Sequence, residues 1–394
     1  MERQEVIDTA EKYYLPVFGR LPLVLDHGKG THVWDKNGKE YIDCLAGIAV
    51  NSLGYNHPAQ VQAISEQAGK LMHCSNIFYT EIQAQAVKLV AEITGMDRIF
   101  FANSGAEAHE GALKLARKNG TAKSAKKIRI ITAKMSFHGR TLATLTATGQ
   151  PHYQEGYAPL PAGYEYVEYG DISALEKMMD ENVCAVMLEP IQGEGGVHVP
   201  PDGYLKKVRE LCNKFDAILI FDEIQTGVGR TGAWFEYMNT EVKPDVLTFA
   251  KGIGGGFPVG GFAVPEKLAK VFNKGDHGGT FGGNALAMAV VFATVSAIKK
   301  ENLVNNAKEM GAYFKNELKK IAAKYPEKIK EVRGKGLILG IETKKPAQPI
   351  LDFCLERGII INVTVGNVVR LVPPLVINKN DIDKVVAVLE ESEF

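Results

Sequence analysis

The sequence has 394 residues, of which 45% are hydrophobic and 23% charged, an ordinary composition for a soluble globular protein. Its 46 lysine and arginine residues balance 46 aspartate and glutamate residues, so no charge excess favours nucleic acid or an anionic membrane. No apolar run approaches the ~20 residues that span a bilayer, and residues 1–12 lack the apolar core of a signal peptide. The five cysteines include no C-x-x-C pair, so we expect reduced thiols and a cytoplasmic location.

Short apolar runs alternate with amphipathic stretches between residues 99 and 264. This alternation predicts an α/β fold with a mostly parallel sheet that is covered by helices on both faces. The predicted elements are the strands Ile128–Ile131, Ala185–Leu188, Ile218–Phe221, Val246–Phe249 and Gly261–Val264, and the helices Ala106–Lys118, Ala174–Met179 and Tyr204–Lys214. Ligands bind beyond the carboxyl ends of such strands, so the residues that follow each strand are the candidates for chemistry.

Residues 286–394 have a different pattern, which predicts a smaller α+β domain. A long helical pattern comes first, followed by strand patterns and a last helix. These segments are 286–323 (helix), Gly336–Glu342, Gly358–Asn362 and Val368–Leu371 (strands), and Lys379–Glu390 (helix). No flexible linker separates this part from the rest, so we expect the two parts to pack together.

The segment Asn103–Ala108 lies between a strand-like run and a predicted helix. Ser104 suits the N-cap position, and Gly105 lets the backbone approach a ligand closely. Free N–H groups at a helix start attract phosphate. A helix cap without any ligand explains the same residues, so both interpretations stay open.

Aromatic, basic and acidic side chains follow two more predicted strands. Phe137 can stack on a flat ring, and Arg140 offers a planar fork for a carboxylate. His138, between them, is interpreted as structural. Glu189 and Glu194 supply acids that can pair with arginines.

Four candidate residues directly follow the most apolar predicted strand: Asp222, Glu223, Ile224 and Gln225. A carboxylate at this end can keep a pyridinium nitrogen protonated, which makes such a ring an electron sink. Ile224 can press on one ring face, and Gln225 can reach a phenolic oxygen. A turn or capping carboxylate is the alternative interpretation of Asp222.

Gly227–Gly232 has the letters of the dinucleotide-binding pattern G-x-G-x-x-G. That pattern requires a strand, an immediate turn and a helix of small residues. Here polar residues intervene after the strand, and the bulky segment 233–237 follows. A glycine-rich active-site loop is the preferred interpretation, and an NAD-dependent oxidoreductase is kept as a distant alternative.

Lys251 ends the apolar run Val246–Ala250 and is followed by a glycine-rich turn. An amine in an apolar setting has its charged form disfavoured, which makes it a nucleophile for an aldehyde. Enzymes that use pyridoxal 5′-phosphate need such a lysine for a Schiff base. Further along, Thr280 lies among glycines and can bind phosphate, and Arg370 is a second candidate for binding a carboxylate.

Taken together and in this order, the motifs resemble the class III aminotransferases of the fold-type I pyridoxal phosphate superfamily. The matching segments are NSGAEA, SFHGRT, EPIQGEGG, FDEIQTG, AKGIGGGFPVG, GGTFGGN and VVRLVPPL. The resemblance implies a mostly parallel seven-stranded sheet in a large domain, residues 51–285. It also implies a smaller domain formed by residues 286–394, to which residues 1–50 contribute.

The resemblance also implies cofactor contacts. Lys251 is expected to form the Schiff base, Asp222 to pair with the pyridinium nitrogen, and Gln225 to contact the ring oxygen. Phe137 and Ile224 are expected to cover the two ring faces.

Further cofactor contacts are implied at the phosphate. Gly105 and Ala106 are expected to donate backbone N–H groups to it, and Glu223 is included among the cofactor-binding residues. Thr280 is expected to reach the phosphate of the neighbouring subunit, which implies a homodimer.

For the substrates, the resemblance implies two arginines and one acid. Arg140 is expected to hold the α-carboxylate of the amino donor, and Arg370 that of glutamate or 2-oxoglutarate. Glu194 is expected to pair with Arg370 in one half of the reaction and to move away in the other. Gly279 stands beside the substrate where a serine is frequent.

The segments Ser75–Thr80 and Ile361–Thr364 favour the subgroup that transfers the amino group of N-acetylornithine to 2-oxoglutarate, a step of arginine biosynthesis. Ornithine, succinylornithine and 4-aminobutyrate are the alternative amino donors. His109 stands where the family commonly has asparagine, and Tyr55 where it has histidine.

Overall fold

The computed structural model describes residues 1–392 and 394, and its strands form three sheets within that part of the chain. In chain order the strands are Leu25–Lys29 (β1), His32–Asp35 (β2), Glu40–Asp43 (β3), Arg98–Ala102 (β4), Arg129–Ala133 (β5), Tyr164–Val167 (β6), Val183–Leu188 (β7), Ile218–Asp222 (β8), Val246–Phe249 (β9), Gly260–Val264 (β10), Ile329–Lys335 (β11), Ile338–Thr343 (β12), Ile359–Ile360 (β13), Asn362–Thr364 (β14) and Val368–Leu371 (β15).

Helices lie between most of these strands. In chain order they are Arg3–Tyr13 (α1), Ala46–Ala49 (α2), Pro58–Ala68 (α3), Glu81–Thr94 (α4), Gly105–Thr121 (α5), Leu142–Ala147 (α6), Ile172–Met178 (α7), Tyr204–Lys214 (α8), Glu266–Ala269 (α9), Ala285–Lys300 (α10), Leu303–Lys324 (α11), Gln348–Glu356 (α12) and Lys379–Glu391 (α13). Among these helices, none in the described residues is both long and apolar enough to cross a membrane.

The central sheet has seven strands in the order β4-β10-β9-β8-β7-β5-β6. β10 pairs antiparallel with both of its neighbours, and the other pairings are parallel. The residues of β7, β8, β9 and β10 are all buried, because helices cover both faces of the sheet. The predicted mostly parallel, helix-flanked sheet is confirmed.

One of the two smaller sheets connects the two ends of the chain. In this sheet, the N-terminal strands β1, β2 and β3 are joined by β13, which pairs parallel with β3. The other is antiparallel, in the order β11-β12-β15-β14. Residues near the start of the chain therefore share a sheet with residues near its end.

The prediction of one long helix over residues 286–323 was wrong, because the chain forms two helices there. α10 ends at Lys300 and α11 begins at Leu303, and Asn302 between them has a left-handed φ of 54°. The predicted strand Gly336–Glu342 is β12, and its hairpin partner β11 was not predicted. Gly336, with φ 55°, forms the turn between them.

Candidate active site

Seven of the predicted site residues meet at one cavity of about 380 Å³ beside the carboxyl end of β8. The cavity is also lined by the start of α5 and by the turn that follows β9. The predicted residues that line it are Gly105, Ala106, Phe137, Asp222, Ile224, Gln225 and Lys251. Binding beyond the carboxyl ends of parallel strands is the general rule for such sheets.

Lys251 begins a short 3₁₀ turn almost directly after β9. Its φ of 46° lies in the left-handed region, a conformation that a side-chain-bearing residue adopts only when its surroundings hold it there. Burial lowers the pKa of the Lys251 amine, and the nearby charge of Glu194 opposes this shift only in part. The site therefore disfavours the charged form of this amine relative to a solvated lysine, which is the direction that a nucleophile needs.

Asp222 is the last residue of β8, and only 4% of its surface is exposed. Its Oδ1 accepts the backbone N–H of Ile224 at 3.0 Å. Its Oδ2 lies 2.7 Å from Nδ1 of His138 and 3.2 Å from Nε2 of His109. Burial works against the charge of Asp222, but the two histidines outweigh it and lower the pKa of this carboxyl. The site is thus built to hold a carboxylate that faces the cavity.

The N-terminus of α5 opens on the same cavity. Ser104 is its N-cap residue, and its hydroxyl accepts the N–H of Glu107 at 3.2 Å. A Cβ on Gly105 would lie 2.6 Å from Cδ1 of Ile224, so the absence of a side chain lets the helix start beside Ile224. The N-terminus of this 17-residue helix has the partial positive charge and free N–H groups that suit a phosphate.

Arg370 is at the centre of a buried polar network and is 1% exposed. Its Nη1 donates to Oε1 of Glu194 at 2.6 Å and to Oε1 of Gln225 at 3.1 Å. Its Nε and Nη2 both donate to Oδ1 of Asn362, at 3.1 and 2.7 Å. Burial opposes the charge of Glu194, but Arg370 and Lys251 outweigh it and lower the pKa of that carboxyl. The predicted pair of Glu194 and Arg370 is present in this structure.

Six predicted site residues do not line the cavity: Glu194 and Arg370 of the polar network, Glu223, and the exposed Arg140, Gly279 and Thr280. Arg140 is exposed, and its guanidinium lies 4.0 Å from the ring centroid of Tyr153 and 5.4 Å from that of Phe137. Gly279 and Thr280 are exposed, and a Cβ on Gly279 would meet no atom within 4 Å.

The prediction that Glu223 binds the cofactor is not supported by the position of its side chain. Its carboxylate accepts the backbone N–H of Tyr237 at 2.8 Å and the hydroxyl of Thr226 at 3.0 Å. These contacts turn it toward the loop of residues 236–237, and it does not line the cavity. Neighbouring residues of an extended chain point to opposite sides, so Asp222 and Glu223 cannot both face one cavity.

Sequence reasoning missed the roles of two buried groups that line the cavity, Glu189 and His109. Glu189 was expected to pair with arginines, but it accepts the N–H groups of Gly193 at 3.0 Å and Phe137 at 3.3 Å. Burial, together with the charge of Asp222, raises the pKa of Glu189 well above its usual range. One sequence feature could have placed His109 at the site: it lies four residues after Gly105, so both residues are on the same face of α5.

The segment Gly227–Gly232 packs against the C-terminal part of the chain and does not line the cavity. A Cβ on Gly232 would lie 2.8 Å from Cβ of Lys308, and Arg230 donates to the carbonyl of Leu337 at 3.0 Å. No nucleotide-binding turn exists there, so the structure gives the oxidoreductase alternative no support.

The cavity fits pyridoxal 5′-phosphate on four independent features. It offers a buried amine at Lys251, a carboxylate at Asp222, two flanking apolar groups at Phe137 and Ile224, and a helix N-terminus. Three potential metal ligands also lie within 4.8 Å of one another at this site: His109, His138 and Asp222. In this structure these groups bind each other instead.

Comparison with known proteins gives the family. The profile of the family described as "Aminotransferase class-III" matches residues 15–392. Acetylornithine aminotransferase of Methanothermobacter thermautotrophicus is 49% identical over 389 residues, covering 99% of this chain and 98% of the relative. The enzyme of the same name from Methanosarcina mazei is 51% identical over 388 residues, covering 98% and 96%.

Solved structures agree in fold. The ornithine aminotransferase of Toxoplasma gondii ME49 has a TM-score of 0.96 at 34% identity, covering 100% of this chain and 95% of that one. The acetylornithine aminotransferase of Elizabethkingia anophelis has a TM-score of 0.88 at 34% identity, covering 100% and 99%.

Proposed function

The chain belongs to the class-III aminotransferases, and from that premise we propose that it transfers the δ-amino group of N2-acetylornithine to 2-oxoglutarate. The products are N-acetylglutamate 5-semialdehyde and glutamate, and the step belongs to arginine biosynthesis. The cofactor is pyridoxal 5′-phosphate, on which this family depends. The observation that carries the choice of substrate is the name shared by full-length relatives at 49% and 51% identity.

When bound, the cofactor supplies an aldehyde for amine exchange and a ring that withdraws electrons. Lys251 would hold the cofactor through its amine, and the same amine would take the proton from the substrate carbon that bears the amino group. Asp222 keeps the ring nitrogen protonated. The lowered pKa of the Lys251 amine supports its role as a base.

The remaining cofactor contacts follow from the walls of the cavity. The N–H groups of Gly105 and Ala106 bind the phosphate, and Phe137 and Ile224 pack on opposite ring faces. Gln225 would contact the ring oxygen, and its amide donates to Glu194 at 3.0 Å in this structure.

One site must accept a monocarboxylate and a dicarboxylate in turn. Arg140 holds the α-carboxylate of N-acetylornithine, and Arg370 that of 2-oxoglutarate or glutamate. Glu194 neutralises Arg370 in the first half of the reaction and moves away in the second. The 2.6 Å contact between Arg370 and Glu194 supports this switch.

We also propose a homodimer in which Thr280 binds the phosphate in the partner subunit's site. The exposure of Thr280 and its position outside this chain's cavity support the proposal. The division into 1–50, 51–285 and 286–394 is kept as a proposal, supported by the pairing of β3 with β13. A cytoplasmic location is likewise proposed, and the five free cysteines support it.

A rate comparison tests the choice of substrate. With 2-oxoglutarate as acceptor, kcat/KM of the holoenzyme for N-acetylornithine should exceed that for ornithine by ~10-fold or more. N-succinylornithine and 4-aminobutyrate complete the panel. A clear preference for ornithine would contradict the proposal and favour the activity named for the Toxoplasma gondii structure.

A further inference from the structure

Asp222 has a second histidine neighbour whose role the proposed reaction does not explain. His109 lies on α5, four residues after Gly105, and is 1% exposed. Its Nε2 is 3.2 Å from Oδ2 of Asp222, the oxygen that His138 also contacts. The family resemblance predicts asparagine at this position, and this chain has histidine there instead.

The hydrogen bonds of His109 determine where its first proton lies. Its Nδ1 is 2.6 Å from the carbonyl of His138, which can only accept, so Nδ1 carries a proton. Its Nε2 faces Oδ2 of Asp222 and, at 2.9 Å, the hydroxyl of Thr248. The Thr248 hydroxyl is also 3.3 Å from the carbonyl of Phe221. A second proton on Nε2 would make the ring a cation.

Both charge states of His109 have complete hydrogen bonds in this arrangement. In the neutral state, the Thr248 hydroxyl donates to Nε2. In the cationic state, Nε2–H donates to Asp222, and the Thr248 hydroxyl turns to the Phe221 carbonyl. Only a hydroxyl hydrogen has to rotate, so neither state requires the backbone to move.

The charges around Asp222 determine which state is favoured. A buried carboxylate without a compensating cation is strongly disfavoured. Burial lowers the pKa of His138, and its Nε2 has no partner, so this ring is neutral. Lys251 also lines the cavity but forms no ion pair with Asp222 in the described part of the chain, and Glu189 is an acid whose pKa is raised by burial. His109 is therefore the group in contact with Asp222 that can supply the positive charge.

We propose that His109 is a proton-linked positioning residue, protonated while the cofactor site is empty and neutral once a protonated pyridine nitrogen is bound beside Asp222. The proton leaves Nε2 for the solvent, and the Thr248 hydroxyl then donates to Nε2. No bond between heavy atoms forms or breaks. This inference rests on the proposed binding of pyridoxal phosphate, and it adds a proton release that cofactor binding drives.

Counting protons tests the inference without relying on activity. The probe is 4′-deoxypyridoxine 5′-phosphate, which lacks the aldehyde and therefore leaves Lys251 uncombined. Calorimetric titration of the cofactor-free protein at pH 7, in buffers with different ionisation heats, gives the protons released on binding. Wild type should release about one more proton per site than His109→Asn. Equal numbers in the two proteins would overturn the inference.

The pH dependence of probe affinity gives a second measurement. Release of a proton means that the Kd for the probe falls as pH rises from 6 to 8. The fall should be steeper in wild type than in His109→Asn, by up to ~10-fold per pH unit for one proton. The same slope in both proteins would contradict the proposal.

Thr248 provides a matched pair of variants that leaves His109 in place. Thr248→Val removes the donor that the neutral state requires, so probe affinity at pH 7 should fall ~10-fold, whereas Thr248→Ser should keep it. If His109→Asn does not fold, this pair decides the question, and equal affinities would overturn the inference. Failure of wild type to bind either the probe or pyridoxal phosphate would instead contradict the proposed function.

Discussion

Burial disfavours the charged form of two groups of this site, Lys251 and Asp222, but their polar neighbours make the outcomes differ. Around Lys251 it lowers the pKa of the amine and favours the nucleophile, since the nearby acid opposes it only in part. Around Asp222 two histidines outweigh the burial, and the group stays a carboxylate. The pKa of each side chain is thus shifted in the direction that the proposed chemistry needs, because polar neighbours are distributed unequally.

Glu194→Ala tests the substrate switch. Without this carboxylate, Arg370 is permanently available to an α-carboxylate, so amino acids that present their α-amine should react better. The single-turnover rate with glutamate, relative to that with N-acetylornithine, should rise ~10-fold or more. Glu194→Gln is the matched control, because it removes the charge and keeps the side-chain volume. It should resemble the alanine variant. An unchanged ratio in both variants would contradict the switch.

The identity of the main site residues could be predicted from sequence, but the direction of several side chains could not. Lys251 and Asp222 follow apolar strands, so their positions at the sheet edge are set by local pattern. Glu223 differs because the loop of residues 236–237 supplies N–H groups that attract it away from the cavity. His109 binds Asp222 across the fold, 113 positions along the chain, and no local pattern reports such contacts.

At the scale of elements, α5 combines a stability role with a binding role. Its N-cap residue Ser104 satisfies one N–H of the first turn, and Gly105 and Ala106 at the start of the helix line the cavity. α7 has the same kind of cap at Asp171, which accepts the N–H of Ala174 at 2.9 Å, but it lies away from the cavity.

Ser104→Ala and Asp171→Ala form a matched comparison. Each should lower the free energy of unfolding by ~1 kcal/mol, measured by denaturation of the cofactor-free protein. Only Ser104→Ala should also weaken binding of 4′-deoxypyridoxine 5′-phosphate, because only α5 holds the phosphate. Equal losses of probe affinity in the two variants would argue against a phosphate site on α5.

Element boundaries were predicted well where the apolar pattern is regular. The fully buried strand Val246–Phe249 and the amphipathic helix Tyr204–Lys214 agree with the structure at both ends. The break between α10 and α11 was missed because both helices bury apolar residues, so the helical pattern continues across Asn302. A single left-handed residue ends α10 without changing the composition.

At the scale of the whole molecule, the role proposed for Thr280 requires a complete site to be built from two copies of the chain. Mixing of two inactive variants tests this. The Lys251→Ala and Thr280→Ala variants are unfolded and refolded together, so that mixed dimers form. In each mixed dimer, one site combines an intact Lys251 from one chain with an intact Thr280 from the other. About half of the dimers are then mixed, and total activity at limiting cofactor should approach about a quarter of wild type. Activity no greater than the average of the separate variants would show that Thr280 serves its own subunit or none.

The visible absorption spectrum of the purified protein tests the central claim most directly. Wild type with pyridoxal 5′-phosphate should show a yellow band that bleaches with N-acetylornithine and returns with 2-oxoglutarate. Lys251→Ala should bind the cofactor without that cycle, whereas Lys207→Ala, at an exposed position of α8, should behave as wild type. A band that persists with N-acetylornithine, or that cycles equally well without Lys251, would contradict the account.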